Sequence, residues 1–486
     1  MMAEKNLDQI AQLTPEEVAI SNYRLKSVSP DEGKYSKATD KLRLYLSADA
    51  EWRECARIQY LLLETRAEYS QATIEQVEEV KQALEKFSPL NASLLEEKVT
   101  KHDQLAVIDE LGRHISPETK ALLHPGTTSF DPLDTARAGL MRGAWFNVIR
   151  PEIINTIEGL CNLSEEYIDA LQVGRTHLQD TSPVLFGGVT AIYAARIAER
   201  MARCDLYFED LRGKISGIVG TGASIEMVIG KDKSLEFEKR VLEKLSLEPD
   251  ITATQVTQKE RLADVGHGIT SLMHVLGDFA NDMRMLYSSA IKEVTDLDSA
   301  ARLGGSSADA GKNNPINWEN ISGKAAVVEG GMRALYEMIK TDFQRDLRSS
   351  VQARYQPGLM MVETYESFVR TNKGLKTLFV NKESLEKNLI PVRENPTEAM
   401  IAILRGEGWI HSTLGVGHDF VKKKAGEAKK RKVKLMDVCL EDSEFVELYQ
   451  KLPKLKQEIL FGELEKYTGS AKERARRNID YAKSII

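Results

Sequence analysis

The sequence predicts an all-α protein built around a long helical bundle. Three observations predict it: apolar residues recur every three or four positions over long stretches, strand signals are sparse, and polar connections separate the helical stretches. Between 262 and 290, Val265, Ile269, Leu272, Leu276, Phe279, Met283 and Leu286 mark one buried stripe. That stripe is wider than a two-helix seam requires, so the helix is expected to pack against several neighbours, other subunits among them. Stretches 136–167, 182–211 and 325–339 show the same periodicity in Ala-, Leu-, Met- and Glu-rich sequence. Short β-branched runs such as Gly217-Ile218-Val219-Gly220 sit beside glycines and read as loop edges.

With 486 residues the chain exceeds one compact core, so more than one domain is expected. Apolar residues at 42% and charged residues at 29% are an ordinary globular balance. A net charge of −7 argues against a nucleic-acid binder, yet leaves room for a small anionic substrate, because local charge governs that. Cys55, Cys161, Cys204 and Cys439 form no CxxC pair, which fits reduced thiols in a cytoplasmic protein and no metal site. No apolar run reaches the roughly 20 residues of a membrane helix. The N-terminus lacks a secretory apolar region, so a soluble chain with no membrane partner is expected.

Three loop-like stretches hold the unusual residue combinations: 124–131 (HPGTTSFD), 174–179 (GRTHLQ) and 304–315 (GGSSADAGKNNP). The last invites a phosphate-loop reading, because Gly311-Lys312 follows a glycine-rich run. That reading fails, since Ser306 stands where glycine is needed and Asn313 where Ser or Thr is needed. The basic run 422–434 (KKKAGEAKKRKVK) reads as a solvated helix face in preference to a nucleic-acid or targeting element.

Gly305-Ser306-Ser307 with Lys312, Asn314 and Pro315 resembles the signature loop G-S-S-x-M-P-x-K-x-N-P of the fumarase/aspartase superfamily. Further elements follow in matching order: Thr100-Lys101-His102-Asp103, the 124–131 stretch with Asp134-Thr135, Gly174-Arg175-Thr176-His177 with Gln179, the 254–264 helix start, and Gln344-Arg345-Asp346 with Ser350 and Arg354. Near the ends, the 29–35 segment (SPDEGKY) and 467–471 (YTGSA) match as well. Together they resemble the adenylosuccinate lyases, over about residues 29–475.

The resemblance implies a three-domain fold, with an N-terminal helical domain at 1–125, a central long-helix bundle at 126–372 and a C-terminal helical domain at 373–486. It also implies a homotetramer whose central helices form a twenty-helix core, with active sites shared between subunits and no cofactor. The implied reaction eliminates fumarate from adenylosuccinate to give AMP, and acts also on the succinylated aminoimidazole carboxamide ribotide. Ser306 would be the general base, helped by Lys312, and His177 the general acid, oriented by Glu319. Arg345, Ser350 and Arg354 would hold the nucleotide phosphate, with Lys34 and Tyr35 beside them. Lys312, Asn314, Thr128, Ser129 and Gln255 would hold the succinyl carboxylates, while His102, Asp103, His124 and Thr176 position substrate. For Arg345 and Arg354 the competing reading is an exposed helix face paired with carboxylates. His114, His267, His274 and His411 match no motif and read as structural.

The chain departs from the pattern at several positions. Asp309-Ala310 replaces Met-Pro, Lys34 replaces Arg, and Leu178 and Asp180 stand where small residues are common. Two other functions compete: a sister lyase such as argininosuccinate lyase, fumarase or aspartase, or a non-catalytic member of the superfamily. Only a nucleotide substrate needs Arg345, Ser350 and Arg354 together. A purely structural protein would not need Ser306, His177, Lys312, Asn314 and Glu319.

Overall fold

A computed structural model describes residues 14–33, 35–297 and 312–486. Ser306, Lys34, Asp309 and Ala310 lie outside the described residues. Helices dominate: Phe130–Ala144, Arg150–Glu166, Phe186–Glu209, Glu260–Leu286 and Ile316–Met338 fall on the apolar periodicities, while two long helices, Ala48–Glu68 and Arg348–Thr377, lie outside the stretches that the periodicity marked. All seven stripe residues of Glu260–Leu286 are buried, from Leu272, Leu276 and Phe279 at 0% exposure to Leu286 at 9%.

Local chemistry sets the interruptions. A wider π turn at Trp145–Ile149 separates the first two long helices and leads into Pro151. Proline lacks an N–H and crowds the carbonyl four residues back, and a widened turn relieves both. The chain condenses into two compact units, one of residues 1–153, 200–273 and 324–369, the other of residues 154–199, 274–323 and 370–486. In the first, Gly266 lets Glu260–Leu286 pass close to Met332, Leu335 and Met360, where a side chain would collide with them. In the second, Met400, Leu404, Phe420, Leu435, Cys439, Phe445 and Leu460 form a C-terminal core. The basic run falls on Gly417–Arg431 and just beyond, with most of its lysines exposed, as a solvated face requires.

The 174–179 stretch, read from sequence as a loop, is instead the tip of a β-hairpin. Strands β1 (Leu171–Thr176) and β2 (Gln179–Leu185) pair antiparallel. The following helix therefore starts at Phe186, later than the 182 the periodicity suggested. Register shifts by one residue between Val173 and Arg175, and Gly174 is what allows it. A Cβ there would lie 2.6 Å from the Ser182 carbonyl oxygen.

Candidate active site

In the first unit, the 100–103 and 124–131 elements are shaped by buried polar groups. Lys101 adopts a left-handed conformation (φ 53°) after a π turn at Glu96–Thr100. His102 then caps the helix Asp103–Gly112, its Nδ1 accepting from the Leu105 N–H at 3.4 Å. An accepting Nδ1 puts the proton on Nε2, which faces Ser129 Oγ at 3.1 Å. His124, also left-handed (φ 70°), accepts at Nδ1 from Gln59 Nε2 at 3.0 Å. Burial lowers the His124 imidazole below its usual range.

Asp131 and Asp134 fix this region to the rest of the unit. The fully buried Asp131 accepts from the N–H groups of Thr128 at 2.6 Å, Ser216 at 2.9 Å and Gly217 at 3.2 Å, and pairs with the equally buried Lys214. Asp134 accepts from the Thr257 N–H and from Lys259 Nζ, each at 2.8 Å. Burial raises the Asp134 carboxyl, but the Lys259 ammonium outweighs this and leaves it below the ordinary range. Both aspartates fall within motifs, yet residue type and spacing alone give them no role. Lys214 is invisible to sequence reading altogether, because its partner lies 83 residues away and no local pattern links them.

These anchors frame a cavity of about 540 Å³. Lys101, His102, Asp103, Ser129, Arg137, Arg345, Ser350 and Arg354 line it, with Glu96, Phe130, Leu133, Leu347, Val351 and Tyr355. The Arg345 guanidinium lies 3.9 Å from the Phe130 ring centroid, and its Nη1 donates to Gln255 Oε1 at 2.8 Å. Thr254 Oγ1 donates to the Gln344 carbonyl at 2.7 Å, so the 254–255 segment holds the arginine in place. Ser350 stands in the first turn of Arg348–Thr377, whose first N–H, that of Arg348, donates to Asp346 Oδ1 at 2.7 Å. Ser350 Oγ and Arg345 Nε are buried without a hydrogen-bond partner. Neither Arg345 nor Arg354 has a carboxylate partner among the described residues, so the reading of them as an ion-paired helix face is set aside. A buried hydroxyl and two guanidinium groups without ion-pair partners among the described residues offer donors to a compact anion, although Glu96 and Asp103 line the same cavity.

Not every expected residue joins this cavity. Thr128 and His124 brace its wall without lining it. Tyr35 lies against Lys324, whose Nζ is 4.9 Å from its ring centroid and pairs with Glu363 and Glu366.

The second unit carries the other group. Thr176 closes the β ladder opposite Gln179, so His177 and Leu178 form a two-residue turn with φ of 54° and 60°. This is the type I′ pattern, which usually takes Asn and Gly. His177 is exposed and makes no hydrogen bond or ion pair among the described residues. Glu319, in the first turn of Ile316–Met338, is exposed too, and no hydrogen bond or ion pair joins the two. Lys312 is exposed at the start of the described segment, and the Asn314 carbonyl accepts from the Ile316 N–H at 2.8 Å.

Residues 28–330 match the family described as Lyase. The adenylosuccinate lyase of Methanocaldococcus jannaschii is 29% identical over 86% of this chain and 89% of its own length. That of Aquifex aeolicus is 30% identical over 72% and 77% respectively. The crystal structure of 3-carboxy-cis,cis-muconate lactonizing enzyme from Pseudomonas putida superposes with a TM-score of 0.77 at 18% identity, covering 92% of this chain and 97% of that one. That likeness speaks for the fold alone. The chain belongs to the lyase family, among its adenylosuccinate lyases.

Proposed function

We propose that this chain is a C–N lyase that eliminates fumarate from adenylosuccinate to release AMP, and from the succinylated aminoimidazole carboxamide ribotide in the same pathway. The observation that carries the nucleotide reading is the cavity lined by Arg345, Ser350 and Arg354, the two arginines without a carboxylate partner among the described residues and Ser350 Oγ buried without a hydrogen bond. A phosphate fits that need, and a substrate without phosphate would leave it unanswered.

The chemistry follows from the bonds to be changed. Ser306, as base, takes a proton from the succinyl carbon next to a carboxylate. The electron pair left behind forms the fumarate double bond as the C–N bond breaks. His177 delivers a proton to the departing nitrogen. Each positioned proton transfer typically contributes about 10²–10⁴-fold. Lys312 stabilises the serine alkoxide, Asn314 with Thr128, Ser129 and Gln255 holds the carboxylates, and Glu319 orients His177. His102, Asp103, His124 and Thr176 position the substrate, and Lys34 and Tyr35 add to the phosphate site.

The chain works as a homotetramer with a twenty-helix core and active sites shared between subunits. Support comes from Val351, Tyr355 and Leu359, spaced four apart along Arg348–Thr377 after Leu347, all exposed, the first two lining the cavity. Exposed apolar rows beside a polar cavity fit a surface covered by another copy. His177 and Glu319, which form no pair with each other among the described residues, fit the same picture. The three-domain division at 125 and 372 belongs to this reading. So does a cytoplasmic setting, which suits four buried, unbridged cysteines.

An ultraviolet assay of purified protein tests the reaction. Turnover of adenylosuccinate to AMP and fumarate, absent with argininosuccinate and lost in Ser306→Ala, is expected. Turnover of argininosuccinate alone would overturn the nucleotide reading.

A further inference from the structure

The hairpin that carries His177 is tied down by a carboxylate that no motif marks. Glu293 is fully buried, at 0% exposure of its side chain. It accepts from Gln172 Nε2 at 2.7 Å, from Arg175 Nη1 at 3.2 Å and Nη2 at 2.6 Å, and from Asn388 Nδ2 at 2.7 Å. Three of these four bonds come from β1, and the fourth from the helix Lys382–Glu394. Its backbone is held as well, with N–H donating to Leu286 O at 3.0 Å and the carbonyl accepting from Asn381 N at 2.9 Å. A carboxylate gathered this fully by charged and amide donors fixes its partners in direction as well as distance.

The hairpin needs that grip at one end. Its base is apolar, with Leu171, Val173 and Leu185 packed on Leu389 and Leu464. Its tip is a turn of two side-chain-bearing residues at positive φ, and Leu178 is 73% exposed, so packing does not hold it there. Such conformations persist only where the surroundings over-determine them. Arg175 is the link: one face of its guanidinium meets Glu293, while Nε donates to Asp180 at 3.1 Å across the ladder, one rung before the turn.

We infer that Glu293 is a positioning residue for the general acid: through Arg175 it holds β1 in the geometry that presents His177 from a strained turn. The inference rests on the assignment of His177 under the proposed function. It also gives Asp180 a role, as the partner that completes the Arg175 bridge.

Glu293→Gln keeps the shape but turns an amide toward donors, so Arg175 loses its anchor. The expected result is a fall in kcat of about 10- to 100-fold, as misplacement of a reacting group produces, with KM for adenylosuccinate within about twofold. Leu178→Gly suits the left-handed position, and in the double variant it should restore part of the lost kcat. A purely structural role would move neither the split between kcat and KM nor the rescue. Wild-type kcat in Glu293→Gln, with His177→Ala inactive, overturns the inference alone. Full turnover in His177→Ala overturns the acid assignment and the inference with it. Should Glu293→Gln fail to fold, Arg175→Lys, which keeps the charge and loses the fork, takes its place: the same fall in kcat at steady KM is expected, and a wild-type kcat overturns the inference.

Discussion

Arg354 lines the anion cavity four residues after Ser350, one turn along the same helix face. A charge-assisted hydrogen bond is worth about 1.5–3 kcal/mol, so Arg354→Ala should raise KM for adenylosuccinate roughly 10- to 150-fold. Steady-state kinetics with little change in kcat would match a phosphate contact remote from the reacting bond. An unchanged KM would remove Arg354 from the phosphate site. His124 makes a second residue-scale prediction. Burial favours its neutral form, so the folded state binds a proton less readily than the unfolded chain, whose imidazole titrates near 6.5. Stability should therefore fall as pH drops below about 6.5, and urea midpoints of His124→Gln should show a shallower fall. At this scale the sequence is most readable. Arg345, Ser350, Arg354, His102, Asp103 and Ser129 are each singled out by residue type within a motif, and all six line one cavity. The orphaned state of Ser350 Oγ and Arg345 Nε is not readable, because burial depends on what packs above an atom.

Elements are legible where one period runs uninterrupted. Glu260–Leu286 is helical because its apolar spacing admits no other regular structure, and its stripe is buried as expected. The hairpin escapes sequence reading because its strands lack the alternation that marks a half-buried sheet, and Pro183 and Gly174 suggest loop. Long-range partners, invisible in local pattern, stabilise it: Glu293 is 118 residues from Arg175. The same holds for the turn at 124–131, which is organised by the buried Lys214–Asp131 pair. Removing one member leaves the other charge without its partner, so Lys214→Met should cost about 3–5 kcal/mol. The expected readout is an earlier urea midpoint, with weakened substrate binding because Thr128 and Ser129 lose their support. A midpoint equal to wild type would mean that the three backbone N–H groups alone satisfy Asp131.

At the scale of the whole molecule, the proposed assembly makes its own prediction. Leu347, Val351, Tyr355 and Leu359 retain 69%, 54%, 67% and 37% of their surface in a single chain, more than solvent-facing helix positions need. The double change Val351→Asp with Tyr355→Asp should lower the mass measured by light scattering and abolish turnover together. A tetramer mass retained in that variant would place the interface elsewhere.

The sequence by itself determined the helical class and the family, because periodicity and motif are properties of short stretches. Tertiary structure alone decided which of the motif residues meet, which carboxylates hold them and what conformation His177 adopts. The physical reason is that burial and ion pairing are set by residues scores of positions apart, and a side chain's environment exists only once the chain has packed.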